Sequence, residues 1–136
     1  MQAKSIKLQS LMDSRGSLVI AEGMRTIPFD IKRVYYIFGN KDNEPRGFHA
    51  HKSLQQAAFC IQGSCKFLLD DGKSKQDILL NNPAEGILIG NMTWREMYDF
   101  SPDCILMVFA SDYYDEKDYI RDYKEFKSLV QVKADE

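Results

Sequence analysis

The chain lacks any apolar run approaching the ~18 residues that a membrane-spanning helix needs, so no membrane partner is expected. It also lacks a basic excess: 18 lysines and arginines stand against 20 acidic residues, leaving a net charge of −2. A nucleic-acid binder normally carries a basic patch, and none stands out, so nucleic acid is not an expected partner. A small anionic ligand stays open, because a few local arginines suffice to hold one. Cysteine is scarce and odd in number, and Cys60, Cys65 and Cys104 fit no disulfide framework. Cys60 and Cys65 lie in apolar, strand-like stretches and read as buried free thiols, which suits a reducing cytoplasm. The start, Met1 to Ile6, lacks the sustained apolar core of a secretory leader, and a cytoplasmic location is expected. Repeats and low-complexity segments are missing as well. A length of 136 residues fits a single domain over 1–136.

What the chain does have is punctuation every ten residues or so. Turn signals fall at 13–16, 39–42, 43–45, 62–63, 70–73, 81–83, 85–86 and 101–103. Between them lie short runs rich in Val, Ile, Phe, Tyr and Leu. These predict strands over 4–11, 17–21, 31–38, 46–51, 56–61, 63–70, 75–80, 86–90, 93–99 and 103–110. Many short strands at this spacing point to an all-β sandwich or closed barrel. Asp70-Asp71-Gly72-Lys73 carries a strong hairpin signal. In the tail, Tyr119, Tyr123, Phe126 and Val130 recur at helix-like spacing, which predicts one short C-terminal helix between about 113 and 130.

Histidine is the scarcest titratable side chain, and both copies, His49 and His51, sit in Arg46-Gly47-Phe48-His49-Ala50-His51-Lys52. Two imidazoles at a spacing of two on a strand project from one face. Free imidazole has a pKa near ~6.5, so either protonation state is expected to be accessible at working pH. Two such rings on one face can serve two adjacent atoms of a substrate as acid and base. The Gly-x-His-x-His pattern in a small barrel invites comparison with the cupins, whose metal is held by two histidines, a following glutamate and a third histidine. Here Gln55 and Gln56 stand near the glutamate's place, and Arg95 stands near that of the third histidine. Two neutral imidazoles opposed by a guanidinium make a poor divalent-cation site, so no metal is expected.

The next most informative stretch is Lys32-Arg33-Val34-Tyr35-Tyr36-Ile37-Phe38. Alternation places Arg33, Tyr35 and Ile37 on one face, and Val34, Tyr36 and Phe38 on the other. An inner face carrying an arginine and a tyrosine would hold an anion and offer a phenol. Arg46, just before the histidines, adds a second guanidinium suited to phosphate oxygens. Trp94 and the tyrosines read as core or interface packing more readily than as a nucleobase platform. Residues 112–116 read as a loop with a solvated acidic face.

Taken together, Asp13-Ser14-Arg15-Gly16-Ser17-Leu18, Ile27-Pro28-Phe29, Lys32 to Tyr36, Arg46 to Lys52, and Ser111-Asp112-Tyr113-Tyr114 resemble the nucleotide-sugar 3,4-ketoisomerases over nearly the whole chain. The resemblance implies a jelly-roll cupin, a double-stranded β-barrel, that uses no metal and no cofactor. It implies a homodimer with exchanged N-terminal strands and a dTDP-linked 4-keto-6-deoxy sugar as substrate. On it, His49 matches the carbon-directed base, and His51 moves the hydroxyl proton. We assign Tyr35 as a donor to developing charge, with Arg33 and Arg46 on the diphosphate. Lys52, Arg15 and Arg95 complete the expected substrate-binding set. Two other readings stay open at this point: a sugar-nucleotide 3,5-epimerase of the same fold, and a non-catalytic cupin ligand-binding protein. The epimerase normally wants a His–Asp pair, whose second member is not evident in the sequence.

Overall fold

A computed structural model describes residues 3–40 and 43–135. Lys41 and Asp42 of the expected turn at 39–42, with Met1, Gln2 and Glu136, lie outside the described residues. In chain order the strands are β1 (Lys4–Lys7), β2 (Gln9–Asp13), β3 (Gly16–Ile20), β4 (Arg33–Ile37), β5 (Arg46–His51) and β6 (Gln56–Gln62). They continue with β7 (Cys65–Asp70), β8 (Lys75–Leu80), β9 (Glu85–Ile89), β10 (Trp94–Tyr98), β11 (Ile105–Ala110) and β12 (Tyr119–Ile120), before helix α1 (Tyr123–Ala134). Two five-stranded antiparallel sheets, β1-β9-β6-β11-β4 and β12-β5-β10-β7-β8, make the jelly roll, and β2 and β3 form a separate hairpin.

Burial follows the strand period of two. On β11, Leu106, Val108 and Ala110 are buried while Ile105, Met107 and Phe109 are less so. The buried side meets Phe67, Leu69 and Met97 of the facing sheet to form the barrel core. β6 is buried on both faces from Gln56 to Cys60, because Ile27 and Phe29 cover its outer side against Ala57 and Phe59. The second sheet is covered outside by α1: Ala50, Trp94, Ile120 and Phe126 form a third cluster. Trp94 is therefore core, packed edge-on to Tyr123. The three thiols are free and buried, as expected, and their sulfurs converge within 4.8 Å of one another although their sequence spacing gave no sign of it.

Two elements differ from expectation. The run 4–11 is not one strand. Leu8 donates its N–H to the Ala84 carbonyl at 2.8 Å, so β1 stays beside β9 while β2 leaves the sheet with β3. Tyr119 is not helical: it pairs with His51 on β12. The helix starts later because Asp122 caps it, accepting from the Lys124 N–H, and it runs on past 130 to Ala134.

Candidate active site

β5 carries the histidines into the barrel. Ala50 is buried under α1 on the other face, so the period of two turns His49 and His51 inward together. Their ring centroids are 5.0 Å apart and the rings are nearly perpendicular. Tyr119 packs against both, at 5.0 Å from His49 and 4.3 Å from His51.

The hydrogen bonds assign the ring protons. Asp118 accepts the backbone N–H groups of Ser53 at 2.9 Å and Leu54 at 3.2 Å, so it stands as a fixed acceptor. His51 Nδ1 lies 3.1 Å from the same carboxylate and therefore carries the proton. His51 Nε2 is then a bare lone pair, buried with no hydrogen-bond partner among the described residues. His49 Nδ1 lies 3.0 Å from the Gly47 carbonyl, which can only accept, so His49 also presents a basic Nε2. Sequence reasoning missed Asp118 and Tyr119. The carboxylate lies 67 residues from its imidazole, two residues past the 112–116 stretch that reads as solvated.

Both rings are held neutral. Burial, then the Arg95 charge, pushes His49 down to about 4 and His51 down to about 3. The neighbouring His49 ring and the charges of Arg33 and Arg121 press His51 further in the same direction. This corrects the expectation that either protonation state is accessible near neutrality. At neutral pH the rings are bases, and each becomes an acid only after it has taken a proton.

Arg95 is 2% exposed and sits opposite His49 on β10. Its guanidinium donates to Gln56 Oε1 at 2.5 Å and to the Thr93 carbonyl at 3.1 and 3.3 Å. Burial brings its pKa down to about 10, so it stays charged at neutral pH. Gln56 Nε2 donates onward to the Tyr35 hydroxyl at 2.9 Å, and burial pushes the Tyr35 phenol up. The donor set does not fit a divalent cation: the one side-chain oxygen near the ring pair on β6 is already taken by a fixed positive charge.

A cavity of about 180 Å3 opens beside His51 and is lined also by Arg33, Asp118 and Tyr119. Arg33 Nε is buried and unpartnered there. Tyr35, His49, Gln56 and Arg95 line a deeper void of about 10 Å3. The structure thus gathers Arg33, Tyr35, His49, His51 and Arg95. Arg46 is exposed at the other end of β5 from His51 and outside the cavity lining, so the joint anion clamp with Arg33 is not formed in the single chain. Lys52 is exposed, and its backbone serves the site by donating its N–H to the Asp118 carbonyl at 3.0 Å. Arg15 is 88% exposed on the β2–β3 turn, paired with Asp13 and away from the cavity.

Residues 1–131 match the family FdtA: WxcM-like, C-terminal. The chain is 56% identical over 130 residues to a TDP-4-oxo-6-deoxy-alpha-D-glucose-3,4-oxoisomerase of Aneurinibacillus thermoaerophilus, covering 96% of this chain and 94% of that one. Among solved structures, a 3,4-ketoisomerase of Helicobacter canadensis superposes with a TM-score of 0.92 at 46% identity, covering 96% of this chain and 98% of that one. A histidine-to-asparagine mutant of the 3,4-ketoisomerase QdtA from Thermoanaerobacterium thermosaccharolyticum, in complex with TDP-4-keto-6-deoxyglucose, superposes with a TM-score of 0.93 at 43% identity, covering 96% and 94%. The inward pair of neutral imidazoles, the adjacent arginines and these likenesses agree, and the chain belongs to the FdtA family of 3,4-ketoisomerases.

Proposed function

We propose that the cavity binds a TDP-linked 4-keto-6-deoxyhexose and moves its carbonyl from C4 to C3 through an enediol. The observation that carries the reading is the pair of basic Nε2 atoms on neighbouring inward rings, one buried without a partner, beside the unpartnered Arg33 Nε. His49 takes the C3 proton, which the adjacent carbonyl acidifies, and returns it to C4. Tyr35 donates to the oxygen at C4 as charge builds there. His51, oriented by Asp118, takes the proton from the oxygen at C3 and hands it to the oxygen at C4, which regenerates the neutral ring. The net result moves one carbon-bound hydrogen from C3 to C4 and one proton from O3 to O4, so no external oxidant or reductant is consumed. Arg33 holds the diphosphate and so positions the sugar.

The chain acts as one cupin domain over 1–136. We further infer a homodimer with exchanged N-terminal strands, supported by a β2–β3 hairpin that among the described residues pairs only with itself and exposes Leu11, Met12 and Leu18. A cytoplasmic location fits the three free thiols.

The test is incubation of the purified protein with TDP-4-keto-6-deoxyglucose, followed by NMR of the product. The carbonyl carbon should move from C4 to C3. A retained C4 carbonyl with an inverted carbon would support the epimerase instead, and no turnover would support a ligand-binding role. His49→Asn should abolish turnover and keep TDP affinity; a fully active variant would take His49 out of the base role.

A further inference from the structure

Arginine carries no acceptor, so the amide group facing Arg95 must be the Gln56 oxygen. The Gln56 NH2 is then forced toward Tyr35, where it donates to the hydroxyl oxygen at 2.9 Å. That bond uses the phenol as an acceptor, and the phenol's own proton has to go elsewhere. The void beside it is shared with His49. The order Arg95 to Gln56 to Tyr35 crosses from one sheet to the other, from β10 through β6 to β4, and every donor in it faces the same way.

We propose that Gln56 is a positioning residue of the isomerase. Locked by the buried Arg95, it sets the direction of the Tyr35 hydroxyl so that the phenol donates to the substrate and never accepts from it. An enolate oxygen needs such a donor, and a freely rotating hydroxyl would present its proton only part of the time. The fully buried guanidinium is what makes the device one-way: with a neutral partner at position 95 the amide could flip and the polarity would be lost. This rests on the assignment of Tyr35 as the oxygen-directed donor.

The decisive variant is Gln56→Glu, which keeps the shape. Its carboxylate accepts from Arg95 and also from Tyr35, so the phenol's proton turns inward. The expected result is a kcat lower by about 10²–10³-fold, the size of losing one oxyanion donor, with KM and TDP affinity unchanged. Tyr35→Phe should fall to the same level, and the double variant Gln56→Glu/Tyr35→Phe no further. A purely structural role for Gln56 would instead make the two losses multiply. Gln56→Leu, which removes the directing donor without supplying an acceptor for the phenol, should lose only about tenfold in kcat, again at constant KM. It also serves if the buried carboxylate prevents folding. A Gln56→Glu enzyme within twofold of wild type beside an impaired Tyr35→Phe, multiplying losses, or a Gln56→Leu enzyme with wild-type kcat overturns the proposal alone. A fully active Tyr35→Phe overturns the donor assignment with it.

Discussion

At the level of single residues, the site divides by how its members find each other. His49, His51, Arg33 and Tyr35 were legible in the sequence because strand alternation alone decides which face each takes. Asp118, Gln56 and Tyr119 were not, because their roles depend on partners brought together from other strands. An acidic residue that orients a buried imidazole looks the same in sequence as one that faces water. The cost of burying the rings predicts a specific pH dependence. The unfolded chain's imidazoles bind protons as pH falls below 6.5, whereas the folded ones resist until about 4 and about 3. The unfolded state therefore binds more protons throughout that window, and stability falls from about pH 6.5 toward about pH 4 for His49 and about pH 3 for His51. Calorimetry at about pH 7 and about pH 5 should show the wild-type Tm falling more steeply than that of His51→Asn, which lacks one of these groups. Parallel slopes would mean that the ring titrates normally in the folded protein.

At the level of elements, most strands lie within two residues of where punctuation and alternation place them, and the hairpin at 70–73 joins β7 to β8 as expected. What alternation cannot foresee is an irregularity inside a strand. On β5, Arg95 pairs with His49 but the next residue, Glu96, pairs with Gly47, so Phe48 is an extra residue. Gly47 and Phe48 both take positive φ, +96° and +56°. The bulge shifts the phase, and Met97 lies opposite Arg46. Arg46 and His49, at an odd spacing, therefore share a sheet face that a regular strand would deny them. Gly47 is confined to glycine twice over. Its φ disfavours a side chain, and an added Cβ would meet the Arg95 carbonyl oxygen at 2.9 Å. Gly47→Ala should cost about 1–3 kcal/mol and lower kcat, since the strained segment carries the histidines and touches Arg95. Gly39→Ala is the control: φ is +65° there too, but no atom of the described residues lies within 4 Å of the new atom. Thermal melts and turnover should show Gly39→Ala losing stability alone and Gly47→Ala losing both. Equal behaviour would mean that the bulge does not set the site.

At the level of the whole molecule, the single chain leaves apolar surface that its own fold does not use. Leu11, Met12 and Leu18 are exposed on the β2–β3 hairpin, and Val34 and Tyr36 on the outer face of β4, with Phe38 just past its end, are exposed as well. β4 is a sheet edge, with unpaired backbone groups on its free side. Tyr36 and Phe38 stack at 6.0 Å, which makes the strip continuous. Soluble monomers rarely keep contiguous apolar patches of this kind in water, and burying each such side chain is worth about 1.5–3 kcal/mol. The homodimer proposed above would cover both surfaces at once, because a hairpin that leaves its own sheet can lie against a partner's edge. The exchange would also give Arg15, stranded at the hairpin turn, a partner subunit to act on. The wild-type protein should therefore sediment as a dimer at micromolar concentration. Leu18→Glu and Tyr36→Glu, one on each surface, should each weaken that dimer at least about tenfold, since a buried charge without a partner costs more than the contact it replaces. A monomeric wild type would refute the exchange, and a dimer indifferent to both substitutions would move the interface to another face of the barrel.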